Sequence, residues 1–215
     1  KGLSSDRGLF VPSEFKNLKS ELKNLVNLDY KELAYVILKE FLTDYSEKEL
    51  KYCINSAYDE KFDTEKIAPI SKVGDDYVLE LYHGPTCAFK DMALTIMPYL
   101  LKTAIEKNNL KEEVVILTAT SGDTGKAALE GFKDVDKIKI VVFFPENGVS
   151  NIQKLQMKTT GGNNTCVVGI NGNFDDAQTG VKNIFADNNF NKDLKEKGYI
   201  LSSANSINIG RLTPQ

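Results

Sequence analysis

Histidine and cysteine are scarce in this sequence. The first scarcity argues against a kind of metal site, and the second indicates a cellular compartment. His83 is the single histidine among 215 residues, which excludes metal centres built from several imidazoles, and no metal site is predicted. The three cysteines, Cys53, Cys87 and Cys166, lie far apart and form no C-x-x-C pair. Thiols spaced in this way are typical of a reducing compartment, so the cytoplasm is the predicted location.

Long apolar runs, clustered positive charge and nucleotide-binding motifs are absent as well. No apolar span or signal-peptide pattern occurs, so contact with a membrane is not predicted. The 27 basic and 30 acidic residues give a net charge of −3 without a basic cluster, so nucleic acid is not a predicted partner. Neither G-x-x-x-x-G-K-[ST] nor a G-x-G-x-x-G after a strand is present, which argues against the usual nucleotide and dinucleotide loops.

What the sequence does contain is enough for a substantial core, since 41% of its residues are hydrophobic. Two capping boxes, Asp29 to Glu32 and Ser46 to Glu49, predict adjacent helices. We therefore predict a small helical subdomain at residues 1–75, in which every residue serves packing alone.

Between residues 76 and 202, β-rich runs alternate with helical stretches. The runs are Tyr77–Tyr82, Val114–Thr118, Ile138–Phe144, Thr165–Ile170 and Tyr199–Leu201. This alternation predicts an α/β fold with a mostly parallel sheet and crossover helices. Residues 203–215 are predicted to begin a further part of the protein.

A lysine follows a sharp break between a β-rich run and a helical pattern. Gly84-Pro85 forms the break, and Lys90 lies near the start of the predicted helix. The positive end of the helix and enclosure by Phe89 should lower the pKa of this amine. A neutral lysine amine is a nucleophile that forms a Schiff base with aldehydes such as pyridoxal phosphate. On the local pattern alone, an ordinary solvated lysine is the favoured interpretation. Pro98, inside the helical pattern, predicts either a kink or two helices.

His83 is the one imidazole available as a base, and Cys87 is the nearest nucleophile. The favoured interpretation of His83 is a loop residue that packs or forms hydrogen bonds. A Cys–His catalytic pair is a weaker alternative, and contact with a cofactor or substrate stays open.

The segment from Thr120 to Gly125 follows a buried strand and opens a helix. Ligands of open α/β sheets bind at this end of the strands, and glycines let backbone N–H groups approach an anion at the helix N-terminus. The hydroxyls of Thr120, Ser121 and Thr124 add donors. A carboxylate at Asp123 would repel an anion, so Asp123 as a helix cap is the alternative role.

The residues after Tyr199–Leu201 are rich in short polar side chains and include Arg211, whose guanidinium suits bidentate phosphate recognition. Taken alone, this segment would be interpreted as a polar loop with a solvated arginine.

Four segments, taken in order, resemble the threonine synthase family. They are HGPTCAFKD at 83–91, TATSGDTG at 118–125, FDD at 174–176 and SANSINIGRLTPQ at 203–215. Residues 2–12, GLSSDRGLFVP, are also similar to the N-terminal region of that family. The resemblance extends over the whole chain, and the ordered set is specific where one motif would be weak. It implies part of a pyridoxal-phosphate type II fold, like that of tryptophan synthase β.

The resemblance also implies a reaction and its residues. The enzyme would be a carbon–oxygen lyase acting on phosphate, converting O-phospho-L-homoserine and water to L-threonine and phosphate in threonine biosynthesis. Lys90 would hold pyridoxal phosphate and act as acid and base, with Asp123 beside the cofactor. The substrate carboxylate would meet Thr120, Ser121, Gly122, Asp123 and Thr124, and its phosphate would meet Asn205, Asn208 and Arg211.

Two other functions remain open at this point. Another pyridoxal-phosphate lyase of the same fold, such as a hydroxyamino-acid dehydratase, would share the lysine. A non-catalytic module that binds a phosphorylated ligand would not use it. Because the family it resembles has longer chains, we expect this chain to be a fragment, inactive alone, whose missing C-terminal half grips the cofactor phosphate and ring nitrogen. The sequence favours no particular oligomeric state.

Overall fold

The computed structural model describes Ser4, residues 8–206 and residues 208–215. The segments compared above include residues 2, 3, 5–7 and 207, which lie outside the described residues. The described elements, in chain order, are α1 (Leu22–Leu25), α2 (Tyr30–Phe41), α3 (Glu47–Ala57), β1 (Ile70–Val73), β2 (Asp76–Leu79), α4 (Asp91–Leu94), α5 (Met97–Lys107), β3 (Glu113–Ala119), α6 (Asp123–Phe132), β4 (Ile138–Pro145), α7 (Asn151–Lys158), β5 (Thr165–Ile170), α8 (Phe174–Ala186), α9 (Asn188–Glu196), β6 (Tyr199–Ser203) and α10 (Ile209–Leu212).

Strands β3 to β6 form a parallel sheet in the order β5-β4-β3-β6. In the register, Ile116 of β3 lies opposite Ile140 of β4 on one side and Ser202 of β6 on the other. Each connection crosses over through at least one helix, because parallel strands cannot be joined by a tight turn. The predicted α/β class with a parallel sheet is confirmed.

Alternate residues of β3 face opposite layers of helices. Ile116 packs into a core that includes α5 and α6, whereas Leu117 packs against Ala177 and Val181 of α8. A strand covered on both faces is expected to be apolar at every position, as the centre of β3 is. The two layers fix β3 in the middle of the molecule, so the loop that follows it has a rigid base.

The helical N-terminal part shares its core with the rest of the chain. Both capping boxes are present, at Asp29 and at Ser46, and α3 buries the four residues that the sequence predicted, Leu50, Cys53, Ile54 and Ala57. The same core includes Met92 of α4, the N-cap residue Ile96 of α5, and Leu100 of α5. The helical part therefore supports the segment after Lys90, and the division at residues 75 and 202 stays a prediction.

The run Tyr77–Tyr82 was predicted to join the main sheet, and this prediction is wrong. Its first residues form β2, which pairs antiparallel with β1 in a separate hairpin. Gly74 takes the positive φ of 63° that a tight turn between the strands needs. The hairpin is exposed along both strands. Alternation indicates a strand, but it carries no information about the partner strand.

The helical pattern after Lys90 divides into α4 and α5, which is the second of the two outcomes predicted from Pro98. Pro98 is the second residue of α5, a position where proline loses no helical hydrogen bond. In the part of the chain that the structure describes, no helix is both long and apolar enough to cross a membrane.

Candidate active site

The loop that carries Lys90 is pinned by a buried aspartate. Asp91, only 1% exposed, accepts hydrogen bonds from the Thr86 backbone N–H at 2.8 Å and from the Thr86 hydroxyl at 2.6 Å. Burial raises the pKa of Asp91, and the bonds from Thr86 oppose this. A Cβ on Gly84 would lie 2.6 Å from the Asp91 Cβ, so the loop needs glycine there. These contacts place Lys90 at the first turn of α4, as its N-cap residue.

The Lys90 amine is half-buried and lies 3.8 Å from the centre of the Phe89 ring. Among the described residues it has no carboxylate partner within ion-pair distance. Burial lowers the pKa of Lys90, and the positive charge of Arg211 lowers it further, while Asp123 acts in the opposite direction. The direction of the pKa shift agrees with the prediction. Lys90 therefore lies within electrostatic reach of both polar loops named from the sequence.

The fold explains why these two loops come together. Thr120 to Gly125 follow β3, and the loop from Ala204 follows β6, which pairs with β3 in parallel. The carboxyl ends of parallel neighbours lie at the same edge of a sheet, where open α/β sheets bind ligands.

In the loop after β3, the hydroxyl of Thr120 is used internally. Thr120 is 1% exposed, and its oxygen accepts hydrogen bonds from the N–H groups of Gly122 at 2.9 Å and Gly125 at 2.8 Å. Within the described chain, the N–H groups of Ser121, Asp123 and Thr124 have no acceptor. We call these three the open amides. They lie at the N-terminal end of the ten-residue helix α6. Unpaired N–H groups at a helix N-terminus can bind an anion.

Asp123 does not cap α6, so that alternative is wrong. The N-cap is Gly122, with φ 147° and no side-chain cap. The Asp123 carboxylate instead accepts a hydrogen bond from the Gln153 side-chain amide at 3.1 Å. Gln153 was not among the residues predicted for the site. The signal was available, since Ser150 to Gln153 has the S-x-x-Q form of a capping box, and the structure contains that box at the start of α7.

Arg211 is buried, which excludes the solvated arginine considered above. It is 1% exposed, it donates from Nη1 to the Gln215 side-chain oxygen, and its Nε has no partner in the described structure. Among the described residues it forms no ion pair with a carboxylate. Burial lowers the pKa of Arg211. A buried guanidinium without a counter-charge is costly unless an anion completes it.

The two asparagines that precede Arg211 spend their amides on the loop itself. Asn205 accepts from the Ala119 N–H at 3.3 Å and donates to the Ala119 carbonyl at 3.1 Å. Asn208 accepts from the Gly210 N–H at 3.0 Å and donates to the Ser203 carbonyl at 3.1 Å. Of the three side chains assigned to a substrate phosphate, Arg211 alone has a buried nitrogen without any hydrogen-bond partner in the described structure.

His83 is held between two carboxylates. Its Nδ1 lies 2.5 Å from Asp63 Oδ1 and its Nε2 lies 2.7 Å from Glu80 Oε2. Hydrogen bonds to Glu80 and then to Asp63 raise the pKa of His83. Because both ring nitrogens are occupied, His83 cannot act as a base for Cys87, a free and exposed thiol. The favoured interpretation, a loop histidine that forms hydrogen bonds, is confirmed.

The donor set fits pyridoxal phosphate. Lys90 supplies an amine of lowered pKa for the aldehyde, and the open amides supply donors for an anion. Thr118 also carries a buried hydroxyl without a partner among the described residues, two residues before the loop that follows β3. An unsatisfied buried hydroxyl is costly, so polar atoms of a ligand would stabilise this edge of the sheet.

Solved structures agree with this assignment. Pyridoxal-phosphate-bound threonine synthase from Brucella melitensis superposes with a TM-score of 0.84 and 35% identity, over 99% of this chain and 45% of its own. Threonine synthase from Escherichia coli gives a TM-score of 0.82 and 35% identity, over 99% of this chain and 47% of its own. Fold and site together define a pyridoxal-phosphate-dependent protein of the type II class.

Sequence relatives narrow this class. Residues 1–58 match the family model of the threonine synthase N terminus. Threonine synthase of Pseudomonas aeruginosa is 41% identical over 217 residues, which cover all of this chain and 45% of that protein. Human threonine synthase-like 1 is 45% identical over 225 residues, all of this chain and 30% of that protein. The chain thus spans less than half the length of these relatives. Over its whole length it is similar to members of the threonine synthase family.

Proposed function

We propose that the protein that contains this chain is a threonine synthase. It would be a lyase that converts O-phospho-L-homoserine and water to L-threonine and phosphate. The observation that carries the proposal is the buried Arg211, without a carboxylate partner in the described structure and within electrostatic reach of Lys90. A phosphorylated amino acid supplies the dianion that this guanidinium lacks. The threonine synthases among its relatives support the same substrate.

Lys90 is the proposed catalytic residue. Bound pyridoxal phosphate supplies an electron sink for carbanion chemistry at the substrate. The lowered pKa of Lys90 increases the share of neutral amine, which can take a proton from the substrate Cα and return one at a neighbouring carbon. Burial and the Arg211 charge thus serve the same purpose, since both favour an amine that can accept a proton.

The open amides are the proposed site for the substrate carboxylate. Three N–H groups at the positive end of α6 offer hydrogen bonds that no described residue takes. The hydroxyls of Ser121 and Thr124 add two donors beside them. Thr120 keeps its assignment to this site, but as the residue that folds the loop, since its hydroxyl receives the N–H groups of Gly122 and Gly125. The substrate would then be held at two points, its carboxylate at the open amides and its phosphate at Arg211.

Arg211 is the proposed contact for the substrate phosphate, with Asn205 and Asn208 as its supports. Both asparagines tie the loop to β3 or to β6, so the short helix α10 that carries Arg211 has a defined start. Phosphate bound at Arg211 would also screen its positive charge. Because that charge lowers the pKa of Lys90, phosphate binding should raise it.

The test compares the Arg211→Met variant with the unchanged protein. Both are prepared twice, once as this chain and once as the longest natural protein that contains it. The first measurement is borohydride trapping of pyridoxal phosphate, with mapping of the modified peptide to Lys90 and Lys90→Ala as the negative control. The second is phosphate release from O-phospho-L-homoserine. Arg211→Met should keep the trapped adduct and lower kcat/KM by about 10- to 100-fold, the value of a charge-assisted hydrogen bond.

Three results would each reject a part of this function. Failure to trap the cofactor on Lys90 in the longest form would favour the non-catalytic module. Equal phosphate release by Arg211→Met would remove the phosphate assignment. Rapid dehydration of L-serine or L-threonine, unaffected by Arg211→Met, would favour the hydroxyamino-acid dehydratase.

A further inference from the structure

The side chain of Gln153 joins two helices at the candidate active site. Its carbonyl oxygen accepts from the Ser150 N–H at 3.1 Å, which completes the capping box of α7. Its NH2 group donates to Asp123 Oδ1 at 3.1 Å. A single planar amide therefore connects the first turn of α7 to the first residue of α6.

This amide also packs against Gly122. A Cβ on Gly122 would lie 2.5 Å from the Gln153 side-chain carbon and 2.8 Å from its oxygen. The backbone of Gly122, at φ 147°, is one that residues with a Cβ rarely adopt. One turn further along both helices, a Cβ on Gly125 would lie 2.8 Å from the sulfur of the buried Met157. Helix α7 is thus fitted against the start of α6 at two glycines.

The position of Asp123 makes this contact important. A carboxylate in the first turn of α6 is attracted by the same open amides that we assign to the substrate carboxylate. It also acts on the Lys90 amine, against burial and Arg211, and favours the charged form. If Asp123 turned toward the open amides, it would compete with the substrate. Without the Gln153 donor its negative charge would be less compensated, which would favour the charged form of Lys90 further.

We propose that Gln153 is a positioning residue that holds the Asp123 carboxylate toward α7 and so keeps the open amides free for the carboxylate of the substrate. The proposal rests on the proposed function, since it explains how an anion site tolerates an acidic residue. Ser121 and Thr124 flank Asp123 in the loop and carry no charge. The groups that set the charge of Lys90 from neighbouring elements are Arg211 of α10 and Asp123 of α6.

The decisive variant is Gln153→Met, which keeps the length of the side chain and adds no charge. It removes the donor to Asp123 and one half of the capping box. The matched control is Ser150→Ala, which removes the other half of the capping box. That half is the Ser150 hydroxyl, which accepts from the Gln153 backbone N–H at 3.2 Å. The control keeps the hydrogen bond from the Gln153 side-chain amide to Asp123. Both variants should lower the melting temperature of the chain to a similar extent, because each loses one capping contact of α7.

The measured quantity is the rate at which acetic anhydride acylates Lys90, followed by peptide mass spectrometry across a range of pH. In Gln153→Met the freed carboxylate should shift the pH profile of Lys90 upward and slow its acylation at neutral pH by about threefold or more, the scale of partly exposed charge contacts. Ser150→Ala should leave the profile unchanged. In an Asp123→Asn background, Gln153→Met should have no effect on it.

Two outcomes would overturn the proposal. One is an unchanged Lys90 profile in Gln153→Met, and the other is an equal shift in the Asp123→Asn background. Acylation needs neither cofactor nor substrate, so this result stands apart from borohydride trapping, which tests the proposed function. In the catalytic assay, Gln153→Met should raise KM for O-phospho-L-homoserine more than it lowers kcat, since the carboxylate is bound in both ground and transition states.

Discussion

His83 and Lys90 lie on one loop, seven positions apart, yet their surroundings are opposite. His83 has a carboxylate at each ring nitrogen, and these raise its pKa. Lys90 has no carboxylate partner among the described residues, and burial together with Arg211 lowers its pKa. The first arrangement stabilises a cation and ties the loop to its neighbours. The second makes a cation less stable and favours a neutral amine, which fits the catalytic role proposed for Lys90.

Among substitutions that would alter the difference between His83 and Lys90, Arg211→Met is expected to have the largest effect. Removing a buried charge that has no counter-ion in the described structure should raise the stability of the free chain by about 1–4 kcal/mol, the range found when buried charges are replaced by apolar residues. The pKa of Lys90 should rise at the same time, because Arg211 lowers it. Urea unfolding and the pH profile of Lys90 acylation measure the two effects. A less stable variant with an unchanged profile would contradict the role given to Arg211.

The next change concerns the part of the loop between the two residues. Gly84→Ala places a Cβ 2.6 Å from both Cβ and Oδ2 of Asp91, so it should cost about 1–3 kcal/mol, as overpacking does. Displacement of Asp91 should also reduce trapping of pyridoxal phosphate on Lys90.

A matched glycine controls for the added methyl group. Gly180 lies in α8, and a Cβ there has no neighbour within 4 Å. Gly180→Ala should therefore stabilise the chain by about 0.5–1 kcal/mol, the advantage of alanine inside a helix. Equal effects of the two substitutions on urea unfolding would show that Asp91 does not fix the loop.

The smallest effect is the pH dependence that comes from His83. Its pKa is raised above 6.5 by Glu80 and Asp63, so its contribution to stability is full below pH 6.5 and is lost as pH rises through the higher pKa of the folded state. The pKa of Glu80 is lowered, chiefly by Ser71 and then by His83, so its contribution is lost only in acid. The melting temperature, measured on either side of pH 6.5, should fall toward alkaline pH, and His83→Gln should flatten this slope. An identical slope in both proteins would remove His83 as its origin.

The sequence predicted most of the fold because its signals are local. Each of the two capping boxes needs only four residues, and the buried strand at Val114 is visible from its own composition. The run Tyr77–Tyr82 was assigned to the wrong sheet, because strand pairing depends on contacts that no single segment records. Pro98 marked a break correctly, but only packing decided between a kink and two helices.

The sequence named the residues of the candidate site but not their separate contacts. Of the named residues, Asp123 and Arg211 both lie within electrostatic reach of Lys90. The sequence could not show that the amides of Asn205 and Asn208 are taken by backbone groups, since those partners are distant in sequence or depend on the turn. The capping-box pattern marks Gln153, but nothing local in the sequence shows that its amide contacts Asp123, thirty residues away.

The contact between Asn205 and Ala119 replaces a piece of main chain. In the register of β3 and β6, Leu117 lies opposite Ser203, so the next pairing position would set Ala119 opposite Asn205. The side-chain amide of Asn205 gives Ala119 the donor and the acceptor that a peptide group would have given. The side chain of Asn205 thus makes the two hydrogen bonds of a further pair in the sheet, while the backbone itself leaves the sheet after Ser203.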